Sequence, residues 1–245
     1  RRASDGGRRP NFNCARYGCD GGDCETCGGI SPRAGRFGRV GADREVGWCL
    51  LLTASICPAQ GMTHTARWDP GVRREDYEGA LRQWFGPNGT SLPIAVVESS
   101  GANLTSLRAA VPDGGVVDFV SFHDTEVEPE RGKGHAEYRA IVAAMRTSAL
   151  LRERCGGIVK VTGRYFVHHM DDVVAGVAAA GWDVVVQSTP SPWTLWDGVV
   201  RSEVVGFEND VGLAEALFGD QDEAVGAPME RRLFVALGDL RSRRR

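Results

Sequence analysis

Between Trp48 and Gln187, short apolar runs alternate with stretches in which apolar residues recur every three or four positions. Trp48 to Ile56 is a continuous apolar run of strand length, stopped by Pro58, as expected for a strand buried on both faces. Arg73 to Phe85 carries Tyr77, Ala80, Leu81, Trp84 and Phe85 at helical spacing and ends at Gly86-Pro87. Pro93 to Val97, Val116 to Phe122, Ile158 to Val161 and Trp182 to Gln187 read as further strands. Asn103 to Ala110, Glu137 to Arg154 and Asp171 to Ala180 read as helices, the last two closed by glycines. Strand–helix alternation of this kind predicts an α/β domain with a mainly parallel sheet covered by helices on both faces. Ligands of such sheets lie beyond the carboxyl ends of the strands.

The ends of the chain break the pattern. Residues 1–45 are rich in Gly and Arg with scarcely an apolar side chain, so they are expected to form a tail or stem that cannot offset the entropy of folding alone. Residues 46–240 form the predicted domain, and 241–245 a solvated basic end. The sequence has 245 residues and 42% hydrophobic content, enough for one substantial core. A net charge of −3 provides no global basic field for nucleic acid. The longest apolar run falls short of the roughly 20 residues of a membrane span, so a soluble domain is expected, with a membrane reached only through an anchor upstream of Arg1. Because the chain opens on Arg rather than Met, a fragment or processed form is expected.

Seven cysteines divide into a cluster, Cys14, Cys19, Cys24 and Cys27, and three scattered residues, Cys49, Cys57 and Cys155. The cluster has one C-x-x-C pair and fits zinc spacing poorly, which favours disulfides over a reduced tail and over zinc. Sequons at Asn88 and Asn103 lean the same way, toward a secretory or Golgi lumen, with the cytoplasm as the alternative.

Chemistry concentrates after the strands. Thr53 and Ser55, Glu98, and Thr162-Gly163-Arg164 place hydroxyls, a carboxylate, a glycine and a guanidinium at one rim. Glu98 there reads either as an acceptor for a base or ribose hydroxyl or as a turn carboxylate. Arg131-Gly132-Lys133-Gly134, followed by Glu137, brings cations and permissive backbone to a helix start, where a phosphate would fit; a solvated loop is the plainer reading. Lys160 lies inside an apolar strand and needs a partner, which could be Glu137, Glu98 or a ligand phosphate.

In chain order, LTASICP, DPGVRREDYEGAL, IAVVESSG, RGKGHAE, IVKVTGRY and PMERRLF resemble a family of small GT-A-type nucleotide-sugar glycosyltransferases of microbial surface-glycan pathways and algae. The likeness spans roughly Trp48 to Phe234. It implies a GT-A-like sheet, a nucleotide pocket lined by TASICP and Glu98, and a donor flanked by RGKGHAE. It also implies that KVTGRY stands where many such enzymes carry an Asp-x-Asp metal motif.

With Thr162-Gly163-Arg164 in that place, the donor diphosphate would be held by Arg164, Lys160, Lys133 and Arg131, with no metal required. Bound Mn or Mg is the alternative, and Asp171-Asp172 the fallback pair for it. Those two carboxylates read more simply as helix-start groups, and His168 and His169 before them as loop or acceptor-side residues. Cys57 departs from the TASIKP-like run of relatives, which removes a cation from the first strand end.

An acceptor base is expected from Asp197, Glu203 or Glu230, the last favoured by its place in the PME segment; each also reads as a surface carboxylate. Trp193 and Trp196 could stack on a sugar or pack a loop. The partners expected are therefore a nucleotide-sugar donor and a glycan or other hydroxyl acceptor, with no nucleic acid. Two other classes stay open: a nucleotide-binding α/β protein without transfer activity, and an interaction protein built on the Cys-rich tail.

Overall fold

The computed structural model describes residues 47–63, 65–181, 184–188, 200–219 and 221–243. The N-terminal cysteine cluster, Trp193, Trp196 and Asp197 lie outside the described residues. One mixed α/β domain is built on a six-stranded sheet of order β3-β2-β1-β4-β6-β5. The strands are β1 (Gly47–Ala54), β2 (Ile94–Glu98), β3 (Val117–Ser121), β4 (Cys155–Thr162), β5 (Val184–Ser188) and β6 (Val200–Glu208). The helices are α1 (Pro70–Trp84), α2 (Thr105–Ala109), α3 (Gly132–Thr147), α4 (Ala149–Arg154), α5 (Met170–Ala180), α6 (Val211–Phe218) and α7 (Met229–Arg243). Among the described residues no helix is long and apolar enough to cross a membrane.

The pairs β1–β2, β2–β3 and β1–β4 are parallel, as the alternating pattern predicts. The sixth strand, β6, runs antiparallel to both β4 and β5 and was not anticipated. Its sequence VRSEVVGFE mixes charge and Gly with apolar residues, and its pairing with β5 is interrupted. Val186 faces Val205, whereas the next residue, Gln187, faces Arg201, so residues 202–204 bulge out of the β5–β6 pairing, although Val204 still pairs with Val161 of β4. A bulge of this kind re-aims side chains and carbonyls.

Alternation along β1 and β4 sorts residues between two cores. Cys49 and Leu51 of β1 and Ile158 of β4 face α3, α6 and α7, packing on Ile141, Leu217 and Leu233. Leu50, Leu52, Val159 and Val161 face the other way, onto Tyr77, Leu81 and Trp84 of α1, Leu107 of α2 and Val174 of α5. Burying each such aliphatic contributes about 1.5–3 kcal/mol. Cys49 and Cys155 form a disulfide across the adjoining ends of β1 and β4, a pairing the sequence did not disclose.

Two expected helices have other bounds, and α7 was not anticipated. Asp69 caps α1 by accepting from the Gly71 and Val72 N–H groups, so that helix starts at Pro70 rather than Arg73. The stretch expected as one helix over 137–154 begins at Gly132, and Ser148, extended and capping α4, breaks it in two. Helix α7 runs through Arg243 and so takes in the first part of the basic end.

Candidate functional site

The carboxyl ends of β1, β2 and β4 lie side by side and are stitched by main-chain bonds. Gly163 N–H donates to the Thr53 carbonyl at 2.8 Å, and Ser99 N–H to that of Ala54 at 3.0 Å. Beyond β1, β2 and β3 opens a cleft of about 360 Å³ whose walls include Ser55, Cys57, Met62, Ser99, Ser100 and His123. Cys57 is a free, exposed thiol. The predicted rim therefore exists, but only some of the predicted residues face it.

Lys160 is completely buried. It sits on the β4 face that carries Ile158, so it points at α3, where Glu137 lies one turn before Ile141. Its Nζ is 2.6 Å from Glu137 Oε1 and donates to Thr162 Oγ1 at 3.2 Å and to the Ser202 carbonyl at 2.7 Å. An ammonium has three N–H donors, so none remains for a ligand. Glu137, one of the partners the sequence offers for Lys160, is therefore its countercharge.

Glu137 also accepts from Thr53 Oγ1 at 2.5 Å and Thr162 Oγ1 at 3.3 Å. Burial pushes its carboxyl up, but the Lys160 charge and the bonds from Lys160, Thr53 and Thr162 outweigh that and hold it below its ordinary 4.5. The chain of contacts continues outward: the carbonyl that holds Lys160 belongs to the β6 bulge, and Ser202 Oγ donates to Glu230 Oε1 at 2.6 Å. Glu203, next in the bulge, lies 3.8 Å from Arg201. Two of the three expected acceptor-side carboxylates, Glu203 and Glu230, thus stand on or beside the strand that pairs with the end of β4.

The Arg131–Gly134 segment is not an open phosphate cradle. Gly134 N–H, in the first turn of α3, donates to the Glu223 carboxylate at 3.1 Å, so an anion from the chain itself occupies the helix start. A Cβ at Gly132 would fall 2.4 Å from Glu223, and one at Gly134 2.5 Å from Gln221 Oε1. Gly132 also holds φ at +87°, which a side chain would resist. Arg131 turns the same way, donating to the Gln221 carbonyl at 3.0 Å and facing Asp222 and Glu128. The space beside both glycines is filled by the side chains of Glu223 and Gln221. Lys133 alone of the four projects outward, exposed, with no ion pair among the described residues.

Glu98 is likewise spent on the fold. It is fully buried and accepts from Ile56 N–H at 2.9 Å, Ala102 N–H at 2.9 Å, and the Ser100 N–H and hydroxyl. It staples the loops after β1 and β2, which is the turn-carboxylate reading.

Arg164 behaves differently. Gly163 packs so closely that a Cβ would meet the Thr53 carbonyl oxygen at 2.7 Å and the Tyr77 ring at 3.5 Å, which fixes the chain direction just before Arg164. The guanidinium lies 5.2 Å from the Tyr165 ring centre and contacts no carboxylate within ion-pair distance among the described residues. Burial works against its charge, but Tyr165 foremost, then Tyr77 and Glu137, raise its pKa above the ordinary value.

A second arginine, Arg73, went unnoticed in the sequence, where it is one of two adjacent arginines opening a helix. It is 9% exposed. It donates to the Ser55 carbonyl at 2.5 Å, the Arg67 carbonyl at 3.0 Å and the Tyr77 hydroxyl at 3.0 Å.

The fallback metal pair lies elsewhere. Asp171 accepts from Thr90 Oγ1 and from the Ser91 N–H and hydroxyl, tying α5 to the turn before β2. Burial pushes its carboxyl up, but those bonds from Ser91 and Thr90 win and depress it. Asp172 is exposed and 3.7 Å from His169. These residues border a second cavity of about 430 Å³ together with His168 and the sequon residue Asn88. Among the described residues, no three His, Cys, Asp or Glu side chains are grouped to hold a metal ion.

No family model and no curated protein matches the chain. Among solved structures it is similar to a protein assigned as a nucleotide-diphospho-sugar transferase from Desulfovibrio desulfuricans G20, at 11% identity and TM-score 0.45, covering 80% of this chain and 76% of that one. It is also similar to S. aureus TarS 1-349 in complex with UDP, at 11% identity and TM-score 0.42. That match covers 77% of this chain and 53% of that one, so the chain spans about half the length of TarS 1-349. HddC from Yersinia pseudotuberculosis aligns at 12% identity and TM-score 0.33, covering 70% of this chain and 78% of that one. Identities and scores this low define neither a family nor an activity.

Proposed function

We propose that the chain is a nucleotide-sugar glycosyltransferase of GT-A type that holds the donor diphosphate by protein cations. The observation that carries this reading is Arg164, a guanidinium without an internal carboxylate partner among the described residues, set by Gly163 at the carboxyl end of β4. A parallel sheet binds ligands at that edge, and the adjoining cleft presents Ser55, Ser99 and Ser100. As the glycosidic bond breaks, negative charge develops on the leaving diphosphate, and a fixed guanidinium stabilises it without reorganisation. Lys160, Glu137, Thr53 and Thr162 keep β4 and α3 in register so that Arg164 stays in place. Glu230, hydrogen-bonded to Ser202, and Glu203 are the candidate bases for an acceptor hydroxyl. The acceptor is a glycan or another hydroxyl compound. A secretory or Golgi lumen is supported by the Cys49–Cys155 disulfide and by exposed Asn88 and Asn103 in sequons.

A second reading, nucleotide binding without transfer, is favoured by one finding: Lys160 and Arg131, two of the four expected cations, are committed internally. Incubating the protein with a panel of nucleotide sugars, with EDTA or Mn²⁺, separates the two. Transfer predicts nucleoside diphosphate release that survives EDTA and falls about 10²–10³-fold in Arg164→Ala. Nucleotide binding with no release from any donor would leave the second reading standing.

A further inference from the structure

Arg73 sits where a permanent positive charge is hard to explain from the chain alone. Nine-tenths of it is buried, and all three of its hydrogen-bond partners, Ser55 O, Arg67 O and Tyr77 Oη, are neutral. Arginine cannot relieve the cost of burial by losing its proton, so a buried guanidinium is ordinarily matched by a carboxylate or by a ligand anion. Among the described residues no carboxylate lies within 4.0 Å of it in an ion pair, and Asp76, three residues further along α1, pairs with Arg67 instead. Three of its five N–H groups are used, which leaves two for a further acceptor.

The location is as informative as the missing countercharge. Ser55, whose carbonyl Arg73 holds, lines the cleft beyond β1. Tyr77 Oη accepts from Ser55 N–H at 3.1 Å and from Arg73, while its ring lies 3.5 Å from where a Gly163 Cβ would stand, immediately before Arg164. One tyrosine therefore bonds the first guanidinium with its hydroxyl and sets its ring beside the glycine that precedes the second.

We infer that Arg73 and Arg164, spaced by Tyr77, form a two-guanidinium clamp for a diphosphate at the ends of β1 and β4. This deepens the transferase reading and rests on it for the nature of the ligand, a nucleoside diphosphate or its sugar ester. Arg73 binds from a fixed, buried position; Arg164 closes from the rim. Forked guanidinium donors suit phosphate oxygens in a way a single ammonium does not.

The test is calorimetric binding of inorganic pyrophosphate, inorganic phosphate and UDP to the full chain and to Arg73→Gln, Arg73→Lys and Arg164→Gln. The clamp predicts that pyrophosphate and UDP bind and single phosphate binds more weakly. Arg73→Gln and Arg164→Gln should each weaken pyrophosphate about tenfold or more, a factor equal to about 1.4 kcal/mol. Arg73→Lys should keep part of the affinity, and raising salt should weaken the wild type more steeply than either Gln variant. If Arg73→Gln does not fold, Tyr77→Phe takes its place; freed from its tether, Arg73 should lose several-fold in pyrophosphate affinity. A purely structural Arg73 would lower thermal stability without ligand yet leave the pyrophosphate Kd within about twofold, and that result overturns the clamp. So does a wild type that binds neither pyrophosphate nor UDP. The transferase reading fails separately: Arg73-dependent pyrophosphate binding with no release from nucleotide sugars keeps the clamp, whereas release unaffected by Arg73→Gln keeps the enzyme and removes the clamp.

Discussion

Replacing Lys160 by Met probes the network on which the site depends. The substitution keeps the length and apolar stem of the side chain but removes a charge that is entirely buried and touches Glu137, Thr162 and the Ser202 carbonyl. It leaves Glu137, a side chain 20% exposed, ionised without its cation. Breaking one partner of a buried pair costs about 3–5 kcal/mol. For a domain of this size each kcal/mol lowers Tm by about 2–4 °C, so a drop of about 6–20 °C is expected.

The pH dependence gives an independent sign. Glu137 is depressed below 4.5 in the folded state, so its contribution is fully present above the unfolded carboxylate value and is lost as pH falls through the folded one. Lys160→Met should remove that acid-limb loss along with the stability at neutral pH. The double variant Lys160→Met/Glu137→Leu should recover at least half of the lost stability, because two matched apolar groups leave no stranded charge. Urea melts at neutral and acid pH measure all three quantities. A cost below about 1 kcal/mol for Lys160→Met would refute the reasoning, since the pair would then be no more than a surface ion pair in effect.

Gly134→Ala should destabilise the domain by about 1–3 kcal/mol whether or not nucleotide is present, because its Cβ collides with Gln221; equal melts for variant and wild type would restore the ligand-cradle reading. Reducing the Cys49–Cys155 disulfide should cost about 2–4 kcal/mol, seen as a lower Tm in dithiothreitol, and unchanged melting would deny the bond. His135, 6% exposed, has its pKa lowered by burial and then by Arg131. Its folded value lies below the unfolded 6.5, so stability should decline as pH falls from 6.5 through the folded value. His135→Asn should flatten that stretch of the stability profile, and an unaltered profile would count against the assignment.

Much of the architecture could be read from the sequence because it depends on local periodicity. The run from Trp48 to Ile56 has the composition of a strand buried on both faces, and the stripe Tyr77, Leu81, Trp84 has the spacing of a helix that packs on it. The rim at Thr53, Ser55 and Gly163-Arg164 followed from strand ends alone. The strand β6 was missed because its bulge at 202–204 destroys the alternation that marks a strand, yet that bulge delivers the carbonyl that anchors Lys160.

Partner choice was beyond the sequence for a different reason. A buried charge must be matched, which the rarity of such residues already says, but several groups far apart in the chain could match it, and only folding selects among them. Tertiary structure gave Lys160 to Glu137, gave the start of α3 to Glu223, and gave Glu98 to the backbone of two loops. It left Arg73 and Arg164 hydrogen-bonded only to neutral groups among the described residues. Sequence determined the layers and the edge of the sheet where the strands end, through patterns a few residues long; the fold alone decided which charges find a countercharge within the protein and which are left beside neutral groups.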